Sequence, residues 1–455
     1  MTMEALGQQP YVANSDARVK SLPRKATTTV HEYANIKDFI QAVNSKEITN
    51  KDNVKLKLNN AKVLASGKYN IFVRDETNTA ACLRFSSLSN QEDYNGKYAN
   101  SIVSGEISGI LDYYTSALFL CIYPKSQSDV SNLTFTENTE EAQPVEIEPS
   151  EMDAHKYDLV KLSGLVVTTT DGSSSSADVS KIKLGGQIKF SKDFVTNGSL
   201  VSSAPLLNKA VVDVVGIVTS MTDISIRTFD DITYVIGENR TNTLNKSVMS
   251  NKNIRLERTL SNAYWNSFCV PMILSKSVVE KVFGANTKIA EYEGNDGTVM
   301  QFKSVSSITA GKPCLIKPEY TVVNPVFKSA TVSTTITNTP SSSAAYQLVG
   351  VYNPTVLKTD QTDLFITTKG EISYPTEGHN TIKGLRAYIH SNTSSSKDIT
   401  LSLDGIETDI HTIDACDIST SRNKIYNMNG QYVGDDVDNL PKGLYVINRQ
   451  KVYIK

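Results

Sequence analysis

Short runs in which apolar and polar residues alternate make up most of the chain. Residues 54–58 and 69–75 are clear examples. Because successive side chains of a strand point to opposite faces, this period of two predicts half-buried β-strands. Residues 36–43 differ, since their apolar residues recur at the helical spacing i, i+3, i+4 and i+7. The pattern predicts an all-β protein with a few short helices.

The same order of predicted strands occurs twice along the chain. Residues 30–137 begin with the helical run and continue in strands, and residues 138–240 repeat the strands, with Gly105 and Gly216 at equivalent places. A glycine lets a strand coil sharply, as a small five-stranded barrel requires. The two segments resemble the OB-fold-like domains found in tandem in extracellular proteins of the Bacteroidota. The resemblance implies two OB-like β-barrels, with an immunoglobulin-like sandwich as the alternative.

A polar stretch at residues 241–250 is typical of a linker, and a different pattern follows at residues 251–405. Short β-rich runs alternate there with Gly and Pro, and one helical run lies near residues 276–282, which is the rhythm of a β-sandwich. The runs at 264–271 and 308–318 resemble a module of large Bacteroidota surface proteins. This resemblance implies a β-sandwich of a cell-surface protein.

Residues 406–455 end the chain with hairpin signals. Asn429 and Gly430 supply the positive φ of a tight turn, and Gly443 marks a second turn before an alternating strand. This ending resembles the small all-β C-terminal modules of secreted and surface proteins of the Bacteroidota, including the sorting domains of their type 9 secretion system. The resemblance implies an extracellular or cell-surface location. A terminal β-module with a purely structural role is the alternative.

Residues 1–29 predict a flexible leader. They contain neither the basic nor the apolar region of a signal peptide. We therefore expect that an export signal is missing from this sequence, rather than that the protein stays in the cytosol.

Length and charge narrow the classes of function. The 455 residues suit three or four domains, and the net charge of −2 gives no general attraction to nucleic acid or anionic membranes. No apolar run approaches the roughly 18 residues that would cross a bilayer as a helix. The 5 cysteines are scattered without metal-ligand spacing. Cys269 and Cys314 could pair in an oxidising compartment, although the odd count argues against a disulfide framework.

Motifs of catalysis are missing from the sequence. There is no G-x-S-x-G, no G-x-x-x-x-G-K-[ST] and no G-x-G-x-x-G after a strand, and the 5 histidines include no pair at metal-ligand spacing. The sequence therefore predicts a non-enzymatic protein without metal or cofactor. Glycosidase carboxylates converge only in the fold, so an accessory protein or hydrolase acting on polysaccharide or nucleic acid is the alternative.

Aromatic and basic residues are the candidates for ligand binding. The first barrel offers Tyr69, Arg74 and Tyr113, and the third domain offers Tyr264 and Trp265. Aromatic rings stack on sugars or bases, and arginine pairs with anions. Trp265 is also explained as a core anchor before an apolar run. We expect a glycan or surface-protein partner, and we disfavour nucleic acid because the lysines alternate with leucines, as on any solvated strand face.

Overall fold

The computed structural model describes residues 29–67, 70–84, 98–114, 119–124, 126–191, 205–338, 345–367, 371–392, 399–411, 425–427, 431–434, 441–447 and 450–454. The predicted all-β class is confirmed, because strands dominate and both α-helices of the described residues are short. In this part of the chain, neither helix is long and apolar enough to cross a membrane. The chain divides into two compact units. Unit 1 comprises residues 1–205 and 213–232, and unit 2 comprises residues 206–212 and 233–455.

Unit 1 begins with a closed barrel. Its strands are β1 (Val30–Tyr33), β2 (Asn53–Ser66), β3 (Asn70–Arg74), β4 (Ala80–Arg84), β5 (Ile102–Tyr114), β6 (Phe119–Tyr123) and β7 (Thr134–Thr136). Pairing follows the order β2, β3, β4, β6, β5, and β5 returns to β2. Strands β4 and β6 are parallel. The predicted first barrel is therefore present, as a five-stranded Greek-key barrel of the OB kind.

Helix α1 (Ile36–Asn44) confirms the helix predicted from the spacing of apolar residues. The side chain of Asn35 caps its first turn by accepting a hydrogen bond from the amide of Asp38 at 2.8 Å. The buried carboxylate of Asp75 accepts a second one from the amide of Ile36, also at 2.8 Å. The helix buries Ile36 and Phe39 in the barrel core. These two caps satisfy amides that a helix leaves unpaired at its start.

A second ring of five strands follows in unit 1. The strands of residues 145–225, which belong to unit 1 except for residues 206–212, are β8 (Val145–Glu146), β9 (Leu159–Thr169), β10 (Ser175–Ser176), β11 (Ile182–Leu184), β12 (Ile188–Phe190), β13 (Leu206–Leu207), β14 (Val211–Ser220) and β15 (Asp223–Ser225). Pairing follows the order β9, β11, β12, β15, β14, and β14 returns to β9. Strands β12 and β15 are parallel. The ring thus repeats the strand order of the first barrel.

Gly105 lies in β5 and Gly216 in β14, which are the fourth strands of their rings in chain order, as their equivalent spacing predicts. Gly105 has a φ of +118°, and a Cβ atom there would lie 1.9 Å from the carbonyl oxygen of Asn132. A Cβ atom on Gly216 would lie 2.7 Å from the carbonyl oxygen of Ser225. Both positions require glycine because the backbone of another segment approaches closely.

Unit 2 consists mainly of small antiparallel sheets and one helix, α2 (Lys276–Phe283). The strands of residues 232–330 are β16 (Ile232–Gly237), β17 (Lys252–Glu257), β18 (Thr259–Leu260), β19 (Asn266–Phe268), β20 (Lys288–Asp296), β21 (Val299–Val305), β22 (Cys314–Lys317), β23 (Val322–Val323) and β24 (Val326–Ala330). The following strands are β25 (Tyr346–Val351), β26 (Thr355–Val356), β27 (Asp363–Ile366), β28 (Ile372–Ser373), β29 (Thr381–Ile382), β30 (Arg386–Ser391), β31 (Thr400–Leu403) and β32 (Ile406–His411).

Two of these sheets form the predicted β-sandwich. A six-stranded sheet in the order β19, β22, β20, β21, β31, β32 shares one apolar core with a four-stranded sheet in the order β25, β30, β27, β28. Tyr292 and Phe302 come from the first sheet, and Leu348 and Ile389 come from the second. The hydroxyl of Tyr292 donates to the carbonyl oxygen of Tyr346 at 3.3 Å, which joins the two layers.

The segment predicted as a linker, residues 241–250, makes several specific contacts in unit 2. The side-chain amide of Asn242 donates to the carbonyl oxygens of Gly237 and Tyr352, each at 2.9 Å. Met249 is buried. The segment therefore has defined neighbours within the unit.

The last strands form a separate antiparallel sheet in the order β34, β33, β35, β36. They are β33 (Ile425–Asn427), β34 (Tyr432–Gly434), β35 (Gly443–Ile447) and β36 (Gln450–Ile454). Gly443 opens β35, whereas the predicted turn at Asn429 and Gly430 lies outside the described residues. The domain boundaries assigned from sequence stay predictions.

Candidate functional site

The predicted ligand-binding residues have separate surroundings. Tyr69 lies outside the described residues, and Tyr113 is placed by its backbone in β5, where it pairs with Leu120. Arg74 is at the end of β3 in unit 1, whereas Tyr264 and Trp265 precede β19 in unit 2.

Trp265 packs against the sandwich core. Its side chain is partly buried, and it borders a narrow apolar void together with Phe302 and Leu315. The carbonyl oxygen of the neighbouring Tyr264 accepts a hydrogen bond from Asn266 at 3.1 Å. These contacts favour the core-anchor interpretation of Trp265 over a sugar-stacking platform.

Arg74 uses its guanidinium group within unit 1. Its Nε donates to Oδ1 of Asp158 at 2.7 Å, and its Nη1 and Nη2 donate to the carbonyl oxygens of Gln143 and Leu159, each at 2.9 Å. The side chain is only 13% exposed. Arg74 therefore holds the segment before β9 against β3, and its effect on a ligand would be exerted through Asp158.

A polar cleft of about 760 Å³ lies next to this arginine in unit 1. Three segments form its walls, namely the end of α1, the turn between β3 and β4, and residues 150–158. The last of these includes a short 3₁₀ turn, Pro149–Glu151. The volume falls within the range of roughly 300–1,000 Å³ that is usual for small-molecule sites. This cleft is the candidate functional site.

The cleft has unusual backbone geometry. Three of its residues have a positive φ without being glycine: Lys46 at 62°, Asn78 at 58° and Tyr157 at 68°. Asn adopts this conformation readily, but a bulky residue such as Tyr rarely does. Such strain persists where the surrounding structure enforces it, and it is concentrated at functional sites.

The strained Tyr157 is fixed by the second ring. Its amide donates to the carbonyl oxygen of Val218 at 2.8 Å, and the amide of Val218 donates to the carbonyl oxygen of Asp158 at 3.1 Å. The ring of Tyr157 is buried and lies 6.4 Å from the ring of Phe72, between centroids. These contacts place the side chains of residues 155 and 158 at the cleft.

Asp158 is the most deeply buried acid of the cleft, with a side chain only 5% exposed. Its Oδ1 accepts from Nε of Arg74 and from the amide of Leu159 at 2.9 Å. Its Oδ2 lies 3.7 Å from Nδ1 of His155. Burial raises the pKa of Asp158 above its ordinary value, and Arg74 opposes that rise by favouring the charged form.

The charges on the cleft walls are balanced. Lys46 and Lys156 carry positive charge, and Asp153 and Asp158 carry negative charge. Lys156 pairs with Asp153 at 2.6 Å. Hydroxyl and amide groups of Thr79, Ser150, Asn44 and Asn78 complete the polar surface. With equal numbers of lysine and aspartate side chains, the lining offers a polyanion no excess of positive charge, whereas a neutral ligand with many hydroxyl groups matches its neutral polar groups.

The sequence reasoning missed this site. The signal was the density of polar groups in six consecutive residues, 153–158, which include Asp153, His155, Lys156 and Asp158. Nothing in the spacing shows that Arg74, which is 84 residues away from Asp158, would pair with it.

A second cluster of charges, in unit 2, has a structural character. Glu238 accepts from Nζ of Lys383 at 3.1 Å and from Nη2 of Arg386 at 2.7 Å, and its Oε2 lies 3.7 Å from Nε of Arg258. Arg258 is buried, and it also donates to the carbonyl oxygens of Leu385 and Ser267. Burial is the main reason that its pKa falls to about 9. The cluster fastens the end of β16 to β30.

A histidine on the sandwich also pairs with a carboxylate. Nδ1 of His390 lies 2.7 Å from Oδ1 of the buried Asp363, whose Oδ2 accepts from the amide of Lys358 at 2.8 Å. Within the described residues, no group of three or more His, Cys, Asp or Glu residues could hold a metal ion. Comparison with protein-family models, curated proteins and solved structures finds no match for this chain.

Proposed function

We propose that this chain is a non-enzymatic binding protein that holds a neutral glycan in the cleft of unit 1. The observation that carries the proposal is a cleft of suitable volume whose lining combines two lysines and two aspartates with neutral hydroxyl and amide side chains. Sugars present many hydroxyl groups and no net charge, so they match paired charges and neutral polar groups better than a polyanion does.

The same proposal includes an extracellular or cell-surface location. Its support is the resemblance of residues 251–405 and 406–455 to modules of Bacteroidota surface proteins, including type 9 sorting domains. Glycans of the envelope or of a host would then be the ligands in reach. A surface protein carrying such glycans is a partner of the same chemistry.

The test is an array of neutral glycans, sulfated polyanions and single-stranded oligonucleotides, probed with the full chain at low and physiological salt. Selective binding of neutral glycans that survives physiological salt is the expected result. Binding confined to polyanions and lost with salt would contradict the proposal, because it would show that unpaired cations dominate the interaction.

A hydrolase acting on polysaccharide is the second candidate. Two observations favour it, since Asp153 and Asp158 line the same cleft and burial raises the pKa of Asp158, as in a general acid. The glycans bound on the array are therefore incubated with the chain, and their reducing ends are counted. Turnover that Asp158→Asn and Asp153→Asn each abolish would replace binding with catalysis as the function.

A further inference from the structure

Within the cleft, the geometry points to a two-residue recognition site for a single hydroxyl group. We propose that Asp158 and His155 together hold one hydroxyl of a neutral saccharide, which donates to Oδ2 of Asp158 and accepts from Nδ1 of His155. The inference rests on the proposed function, and it adds the residues and the chemical group that recognition depends on.

In the described contacts, only one oxygen of the Asp158 carboxylate accepts hydrogen bonds. Among the described contacts, Arg74 and the amide of Leu159 both donate to Oδ1. Oδ2 faces His155 and accepts none of these hydrogen bonds. Because Arg74 fixes Oδ1, the carboxylate cannot rotate freely, and Oδ2 keeps its direction toward the cleft wall.

Oδ2 of Asp158 lies 3.7 Å from Nδ1 of His155. This separation is too long for a direct hydrogen bond, but one oxygen atom can lie about 2.8 Å from both atoms. A hydroxyl group suits this position because it can donate one hydrogen bond and accept another. An ammonium group could not accept from His155, and a phosphate oxygen could not donate to Asp158.

This geometry also demands a particular protonation of the imidazole. If the hydroxyl donates its hydrogen bond to Oδ2 of Asp158, then Nδ1 of His155 must carry a proton in order to donate to the hydroxyl oxygen. The side chain of His155 is 30% exposed, so a ligand reaches the imidazole from the cleft. A proton on Nδ1 of His155 is therefore a direct signature of the bound state.

The full chain is titrated with maltotriose, cellotriose, mannotriose and chitotriose in isothermal titration calorimetry. The trisaccharide that binds is the probe for the variants. We expect His155→Ala and Asp158→Asn to weaken binding of that probe roughly 10- to 100-fold, as for loss of a hydrogen bond to a charged group. The control is His379→Ala, which removes an exposed histidine in unit 2 and should change affinity less than twofold.

Deoxy analogues of the bound trisaccharide give the sharper test. Removing the critical hydroxyl should weaken binding to the wild-type protein by the same factor as His155→Ala, and it should have almost no further effect on that variant. In addition, ¹⁵N NMR of the imidazole should show that Nδ1 of His155 is protonated on binding, a readout that does not depend on Asp158→Asn folding.

The outcomes separate the two proposals. If none of the trisaccharides and no other array glycan binds, the proposed function fails. If a glycan binds while His155→Ala, Asp158→Asn and every deoxy analogue leave its affinity unchanged, the two-residue site is wrong and glycan binding stands. If His155→Ala lowers thermal stability but leaves affinity unchanged, His155 has a structural role, which also overturns this inference.

Discussion

At the scale of single residues, two buried charges are compensated in different ways. Asp158 is bound by Arg74 through one oxygen, which leaves the other oxygen directed toward His155. Arg258 has its guanidinium group engaged by two carbonyl oxygens and lies 3.7 Å from Glu238. Burial opposes charge in both cases, so each group depends on its partner.

Replacing Glu238 with Gln should destabilise the protein strongly. The substitution removes the carboxylate shared by Arg258, Arg386 and Lys383, and it leaves the buried Arg258 without its counter-charge. We expect the free energy of unfolding to fall by about 3–5 kcal/mol in urea titration. Lys383→Gln, at a side chain that is 53% exposed, is the matched control and should cost under about 1 kcal/mol. Equal effects of the two substitutions would contradict a buried role for Glu238.

Arg258 should also make stability depend on pH in the alkaline range. Its pKa is lowered to about 9 in the folded state, from 12.5. Above pH 9 the unfolded chain therefore binds more protons at this residue, and its contribution to stability rises with pH. We expect the stability difference between wild type and Arg258→Met to increase from pH 9 to 10.5, by up to about 1.4 kcal/mol per pH unit. A difference that stays flat over this range would rule out the depressed pKa.

At the scale of elements, one strand of each ring requires a glycine, namely β5 in the first ring and β14 in the second. In the first ring, β5 pairs with three strands, namely β2, β6 and β7. Among the strands of that ring, β2 also pairs with three, and the others pair with two. Gly105 lies opposite Leu58 of β2 and close to the backbone at Asn132. A side chain at this point would push apart the segments that close the barrel.

Gly105→Ala should therefore destabilise the first barrel. A Cβ atom 1.9 Å from a carbonyl oxygen forces the backbone to move, and the φ of +118° is itself unfavourable for alanine. We expect a loss of about 2–4 kcal/mol in the free energy of unfolding, measured with urea. Gly294→Ala is the control, because a Cβ atom on that strand glycine would meet no other atom within 4 Å and its φ is not positive. It should change stability by less than about 1 kcal/mol, or increase it slightly.

At the scale of the whole molecule, the chain consists mainly of two closed rings, a sandwich and a C-terminal sheet. The two rings belong to unit 1, and the sandwich and the C-terminal sheet belong to unit 2. With 46 basic and 48 acidic residues, no excess charge draws the whole chain to a polyanion. Specific recognition must therefore come from a local site, such as the cleft of unit 1.

Deleting residues 412–455 should leave the remaining structure folded. Strands β33 to β36 form hydrogen bonds with one another as a sheet of their own, and the sandwich core takes its residues from positions 290–410. We expect the main thermal transition to shift by less than about 2 °C in calorimetry. Glycan affinity in the unit 1 cleft should also be unchanged. A large loss of stability would mean that the C-terminal sheet supports the sandwich.

The sequence by itself determined the all-β class and helix α1, and its repeated order of strands indicated the two barrels, with a sandwich as the alternative that the structure excluded. The alternation of apolar and polar residues indicates which face of a strand is buried, and the spacing from Ile36 to Val43 indicates the buried face of a helix. Gly105 and Gly216 mark positions where another backbone segment approaches closely. These are local signals, so they can be read along the chain. Only the tertiary structure showed where the cleft lies, because Arg74 and Asp158 are 84 residues apart in the chain. The ion pair of Arg386 with Glu238 likewise joins residues that are 148 positions apart. Such pairs depend on which strands become neighbours, and the periodicity of a single strand contains no information about that choice.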